Sequence, residues 1–103
     1  MLVILTTTNP TLLYNANSKR KKVAIQMQPS SIDANNTGRV HIAVGFQPNT
    51  TVGDAMQGEA LLQGASIEQP RAGEPISERW KGPIWATASA TNQSLVIEEE
   101  IEM

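Results

Sequence analysis

Few residue types in this chain can do chemistry, and their spacing decides which chemistry is open to them. The one histidine is His41. A catalytic imidazole needs a nucleophile to serve and a carboxylate to orient it, and a metal site needs further ligands. No second histidine is present to share a metal, so His41 reads as a surface or interface side chain. Cysteine is absent, which removes a thiolate nucleophile, a disulfide framework, and cysteine-ligated zinc or iron–sulfur. The carboxylates Asp33, Asp54, Glu59, Glu68, Glu74 and Glu78 are scattered through polar stretches. Their spacing lacks the calcium loop, and nothing in the sequence favours a facing general acid and base among them. No catalytic residue, metal site or cofactor site is expected, and an enzyme is the least favoured class.

What remains is suited to contact. Lys19-Arg20-Lys21-Lys22 and Glu98-Glu99-Glu100 are the only dense charge blocks, and they are of opposite sign. Clustered cations can hold a polyanion by releasing its counterions, or can form the solvated start of a strand. The reading favoured here pairs the two blocks, within one chain or between subunits, where such pairs set register and orientation. Trp80 and Trp85 could form a sugar platform or a binding hot spot. A five-residue separation along a strand puts them on opposite faces, unless Gly82-Pro83 turns the chain. The plain alternative puts one tryptophan in the core and the other over a sheet edge, and core plus interface is the reading preferred to sugar binding. Asn-x-Ser/Thr triplets at Asn35, Asn49 and Asn92 arise readily by chance in asparagine-rich loops.

These residues must be positioned by short strands. Val23, Ile25 and Met27 alternate with Ala24, Gln26 and Gln28, and Val40, Ile42, Val44 and Phe46 alternate with His41, Ala43 and Gly45. A period of two sends successive side chains to opposite faces of a half-buried strand. Pro29-Ser30-Ser31 ends the first strand and Pro48-Asn49 the second, with an Asn/Asp-rich loop over 30–38 between them. Leu2 to Thr8 is apolar and β-branched and reads as a short strand or an extended arm, the arm being assigned to 1–10. Met56 to Leu62 fits a helical turn or a strand, and Gln69 to Pro75 is a loop with two prolines and a glycine. The last quarter reads as a closing β-hairpin from Arg79 to Ser89 and Leu95 to Ile97, followed by an acidic tail over 98–103.

At 103 residues, 40% apolar and 17% charged, the chain is one globular domain. A formal net charge of −2 argues against bulk attraction to nucleic acid. No segment is long enough to span a membrane, and Met1 to Leu5 is too short for a signal-peptide core. With no cysteine, folding in a cytoplasm is expected. Aromatic residues are only 4%, so small aliphatic side chains fill a modest core that partners help to complete. The expected fold is all-β: a small antiparallel sandwich or jelly-roll-like barrel with an extended N-terminal arm.

The run Asn15 to Gln28 resembles the opening strand of small β-rich virion proteins of tailed bacteriophages, with its Ala-Asn-x-basic-basic turn. A strand like Val40 to Phe46 follows in that group, then a segment similar to Lys81 to Ser89 and a last strand like Ser94 to Glu99. Together these blocks cover roughly half of the chain; the 30–38 loop, the Gln57–Ile76 region and the acidic end depart from the pattern. The resemblance implies a non-enzymatic virion protein, a capsid cement or decoration protein made in the host cytoplasm. It would sit on the capsid surface as a trimer or other symmetric homo-oligomer and bridge major capsid protein subunits. A head–tail or tail-fibre adaptor, and a carbohydrate-binding module using both tryptophans, are the alternatives. The interface residues expected are Leu2, Val3, Ile4, Leu5, Lys19, Arg20, Lys21, Lys22, Trp80, Trp85, Glu98, Glu99 and Glu100. Leu2 to Thr7 is expected to add a strand to a partner's sheet.

Overall fold

The computed structural model of the protein describes residues 1–48, 57–71 and 73–102. Among them the alternating runs form strands: β1 Leu2–Leu5, β2 Thr11–Tyr14, β3 Arg20–Met27, β4 Val40–Val44, β5 Glu59–Leu61, β6 Ser66–Gln69, β7 Ile84–Ala88 and β8 Gln93–Ile101. The one helical element among the described residues is a single 3-10 turn, Glu78–Lys81. Asn49, Asp54, Met56, Ala72 and Met103 lie outside the described residues.

The strands build two antiparallel four-stranded sheets, in the orders β1-β8-β3-β6 and β2-β7-β4-β5. Only β4 and β5 are consecutive in the chain and also hydrogen-bonded neighbours; every other connection crosses from one sheet to the other. This is the strand order of an eight-stranded jelly roll, two Greek keys folded over each other. The sheets stack as an open sandwich, so the barrel alternative is not formed.

Alternation explains which side chains the sandwich buries. Val23, Ile25 and Met27 of β3 are at most 1% exposed, and Leu95 and Ile97 of β8 join them from the same sheet. Val40, Ile42 and Val44 face them from β4, with Ile84, Ala86 and Ala88 from β7. Each fully buried aliphatic side chain of this size contributes about 1.5–3 kcal/mol. Leu61 and Ile67 extend the core under β5 and β6, and Trp80 closes one end from the 3-10 turn. The expected fourth member of the β4 face, Phe46, is absent from it. Gly45 adopts φ +88, which ends the strand at Val44, two residues short of Phe46, and leaves Phe46 43% exposed.

Other expectations change as well. Residues 2–5 are not a free arm but edge strand β1, paired along its length with β8. Glu98, Glu99 and Glu100 are not a tail but the continuation of β8 opposite β3. The closing hairpin is not formed, because β7 and β8 belong to opposite sheets. Hydropathy shows that a strand exists; which neighbour it takes is decided by long-range packing, and a short loop serves a hairpin or an arch equally well. Met56 to Leu62 resolves over its described part into β5, and β6 lies in a stretch where no strand was expected.

Candidate functional site

The two charge blocks meet within one chain. Pairing of β3 with β8 sets Lys22 opposite Glu100 and Val23 opposite Glu99. A register shift between Arg20 and Lys22 then turns Arg20 inward, where it is 1% exposed. Its Nε donates to Glu99 Oε2 at 2.6 Å, Nη1 to the carbonyls of Trp80 and Gly82 at 2.6 and 2.9 Å, and Nη2 to that of Asn15 at 2.7 Å. The guanidinium also lies 5.6 Å from the centroid of the Tyr14 ring. Burial, followed by the nearby Glu99 charge, pushes the Tyr14 hydroxyl above its ordinary pKa. Arg20 thus ties both sheets and the 3-10 turn together, and it is not available to a partner. Lys21 pairs with Glu100 at 3.4 Å and Lys22 with Glu68 at 3.0 Å, both at the surface. The Glu68 hydrogen bond raises the Lys22 pKa. Lys19 and Glu98 are exposed, and the Lys19 carbonyl accepts from the Glu102 amide.

The tryptophans are separated by depth. Trp80 is 6% exposed and belongs to the core, whereas Trp85 lies half-buried on the outer face of β7. Because β7 is an interior strand, Trp85 covers the middle of its sheet rather than an edge, opposite Leu12 of β2 and Ala43 of β4. A two-tryptophan platform does not form. His41 is also held: Arg39 Nε donates to its Nε2 at 3.0 Å, and its Nδ1 lies 3.3 Å from the Gly58 carbonyl. The tautomer with the proton on Nδ1 satisfies both contacts, and neither partner is a carboxylate. Among the described residues no three metal-ligating side chains gather. No helix among them is long and apolar enough to cross a membrane.

The residues left open are those of β1. Leu2 and Ile4 are 59% and 54% exposed on the outer face of their sheet, while Val3 is half-buried and Leu5 is in the core. Met1 and Ile97 exchange both backbone hydrogen bonds, the Met1 amine donating to Ile97 O and the Ile97 amide to Met1 O, each at 2.8 Å. Antiparallel pairs alternate, so the Leu2 and Ile4 positions are the ones that do not bond β8. Their N–H and C=O groups therefore point away from the sheet, toward the free edge.

The other three edges carry the features that discourage strand addition. β2 follows Pro10 and has a register shift between Leu12 and Tyr14. β5 is three residues long and begins with Glu59. β6 carries Glu68, bound to Lys22, and stops against Pro70. β1 is regular in register, uncharged and aliphatic throughout.

A buried polar cluster was not visible in the sequence. Asn36 is fully buried and its Nδ2 donates to Gln28 O at 2.7 Å and Ser94 Oγ at 3.1 Å, while its Oδ1 accepts from the Ser94 amide at 2.7 Å. Gln93, also buried, bonds the backbone of Asn35, Gly38 and Thr91. Ser94 Oγ donates to Asp33 at 2.6 Å, which with the Asn35 amide holds that carboxyl below its ordinary pKa. The cluster pins the 30–38 loop to the start of β8, and its groups are satisfied by one another. Comparison of the chain with protein-family models, curated proteins and solved structures finds no match.

Proposed function

We propose that this chain is a structural protein of a virion, a cement protein of the tailed-bacteriophage kind that binds and bridges capsid subunits, with its β1 edge as a strand-to-strand contact of the assembly. The observation that carries the reading is that edge: an uncharged aliphatic strand with two residues' backbone groups unpaired among the described residues, on a sandwich whose other edges are guarded. Main-chain hydrogen bonds to an added strand join units of the assembly without any requirement for a deep pocket. Many copies on a symmetric shell then hold by avidity, each through a modest contact. The exposed Lys21 and Glu100 beside the sandwich supply orientation more than strength.

Quantitative mass spectrometry of purified particles tests this. A copy number matching that of the shell subunits is expected. A copy number matching one tail or portal ring overturns the cement reading in favour of an adaptor, and absence from particles overturns the virion reading altogether.

A further inference from the structure

We infer that the partner strand at β1 is β1 of a second copy, so that two sandwiches join across a two-fold axis through Val3 into one continuous eight-stranded sheet. The inference rests on reading β1 as the contact strand, but not on the virion assignment. The outward-facing backbone groups belong to Leu2 and Ile4, two residues apart and symmetric about Val3. An antiparallel copy centred there places Leu2 opposite Ile4 of the other chain and Ile4 opposite Leu2. Both are pairs in the wide register that exchanges two hydrogen bonds. No group is left over, and the same patch serves both partners, as a two-fold contact requires.

The side chains agree with that register. Leu2 and Ile4 project from one face, so the pair brings four aliphatic side chains together on the outer surface, where each is now more than half exposed. Val3 meets its own copy on the other face, next to the core that it already half enters. Charge would oppose self-pairing on most edges, since a strand bearing a net charge repels its own copy. β1 carries none, whereas β5 and β6 set Glu59 and Glu68 at their edges. A heterologous partner has no need for this symmetry. A β1 contact is two-fold, so the trimer expected from the sequence resemblance would need a different surface.

Sedimentation analysis of the purified chain tests this over about 10 µM to 1 mM, the range that weak interfaces of small area populate. The expected result is a reversible monomer–dimer equilibrium. The double variant L2K/I4K sets lysine against lysine at both cross-strand positions and is expected to be monomeric, with the melting temperature of the dilute, undimerised unaltered chain. Mixing it with L2E/I4E should restore a dimer of one copy of each. Should L2K/I4K not fold, amide exchange on the unaltered chain decides: Leu2 and Ile4 amides must gain protection as concentration rises, and the β5 and β6 edges must not. A monomer at the highest concentration overturns the inference, as does a dimer that survives in folded L2K/I4K or leaves the Leu2 and Ile4 amides unprotected. Shell binding by a monomeric chain would refute this pairing while sparing the virion reading. A β1 dimer that is absent from particles would do the reverse.

Discussion

Replacing Arg20 with methionine keeps the apolar stem of the side chain while deleting the guanidinium with its charge and four hydrogen bonds. Glu99 then loses its buried partner, and the carbonyls of Asn15, Trp80 and Gly82 lose their donor. Removing one member of a buried ion pair costs about 3–5 kcal/mol, because the other charge stays desolvated. Three stranded carbonyls, each worth about 1–3 kcal/mol when wholly deprived of a partner, place R20M at the upper end of that range. A small domain has about 5–15 kcal/mol in total, so this is a third or more of its stability. At roughly 4–8 °C per kcal/mol for a chain of this size, the melting temperature should fall by roughly 20 °C or more.

Urea unfolding supplies the assay, with the midpoint lowered and the slope unchanged if only the native state is affected. E99M should be milder, since Arg20 keeps its three carbonyl acceptors and Glu99 still has a 15% exposed side chain. The double variant closes a thermodynamic cycle, and a coupling of at least about 1 kcal/mol is expected for groups in direct contact. R20M within about 1 kcal/mol of the unaltered protein would refute the view that this guanidinium joins the two sheets, and additive effects in the cycle would refute its coupling to Glu99 within one sheet.

Gly58→Ala should cost about 2 kcal/mol or more, because φ is +108 there and a Cβ would lie 2.5 Å from the Ile42 carbonyl oxygen; equal urea midpoints would contradict this. Ser94→Ala removes the principal hydrogen bond to the Asp33 carboxyl, so its pKa should rise toward the ordinary value of 3.8 in a carbon-detected NMR titration. In the unaltered protein the Asp33 pKa is lowered on folding. Its contribution is present above the unfolded value and lost as pH falls through the folded one, so an Asp33 titration unmoved in S94A would be inconsistent with that origin. Deleting Met1 to Thr8 removes β1 and the buried Leu5 and uncovers the flank of β8, so cooperative melting by circular dichroism should be lost. A sharp transition in the truncated chain would return the segment to the status of a dispensable arm.

The sequence made β3 and β4 legible because their alternation is strict and their inward residues are all aliphatic. It made the opposed charge blocks legible in part: their sign and density suggest the pairing that Arg20–Glu99 and Lys21–Glu100 make, whereas Lys22 takes Glu68. It did not separate Arg20 from its neighbours. The inward turn of that side chain depends on a register shift between β3 and β8, 79 residues away in the Arg20–Glu99 contact. Nor could it show that Asn36 and Ser94 are buried, because a polar residue in a loop looks the same whether water or another loop satisfies it. Trp80 and Trp85 carry the same uncertainty: Trp80 lies in a 3-10 turn and its carbonyl accepts from Arg20, a contact between distant residues that no local pattern announces. The open edge at β1 was half visible. Its apolar, β-branched composition marked it for contact, but its register, and therefore which two residues face outward, required the pairing with β8.

Cryo-electron microscopy of particles that contain this chain tests the central claim most directly. The account predicts density for the sandwich on the outside of the shell, at positions linking neighbouring capsid subunits, with β1 buried in a strand-to-strand contact. Particles in which the sandwich occupies only the tail or portal, or shell-bound copies whose β1 edge faces solvent, would contradict it.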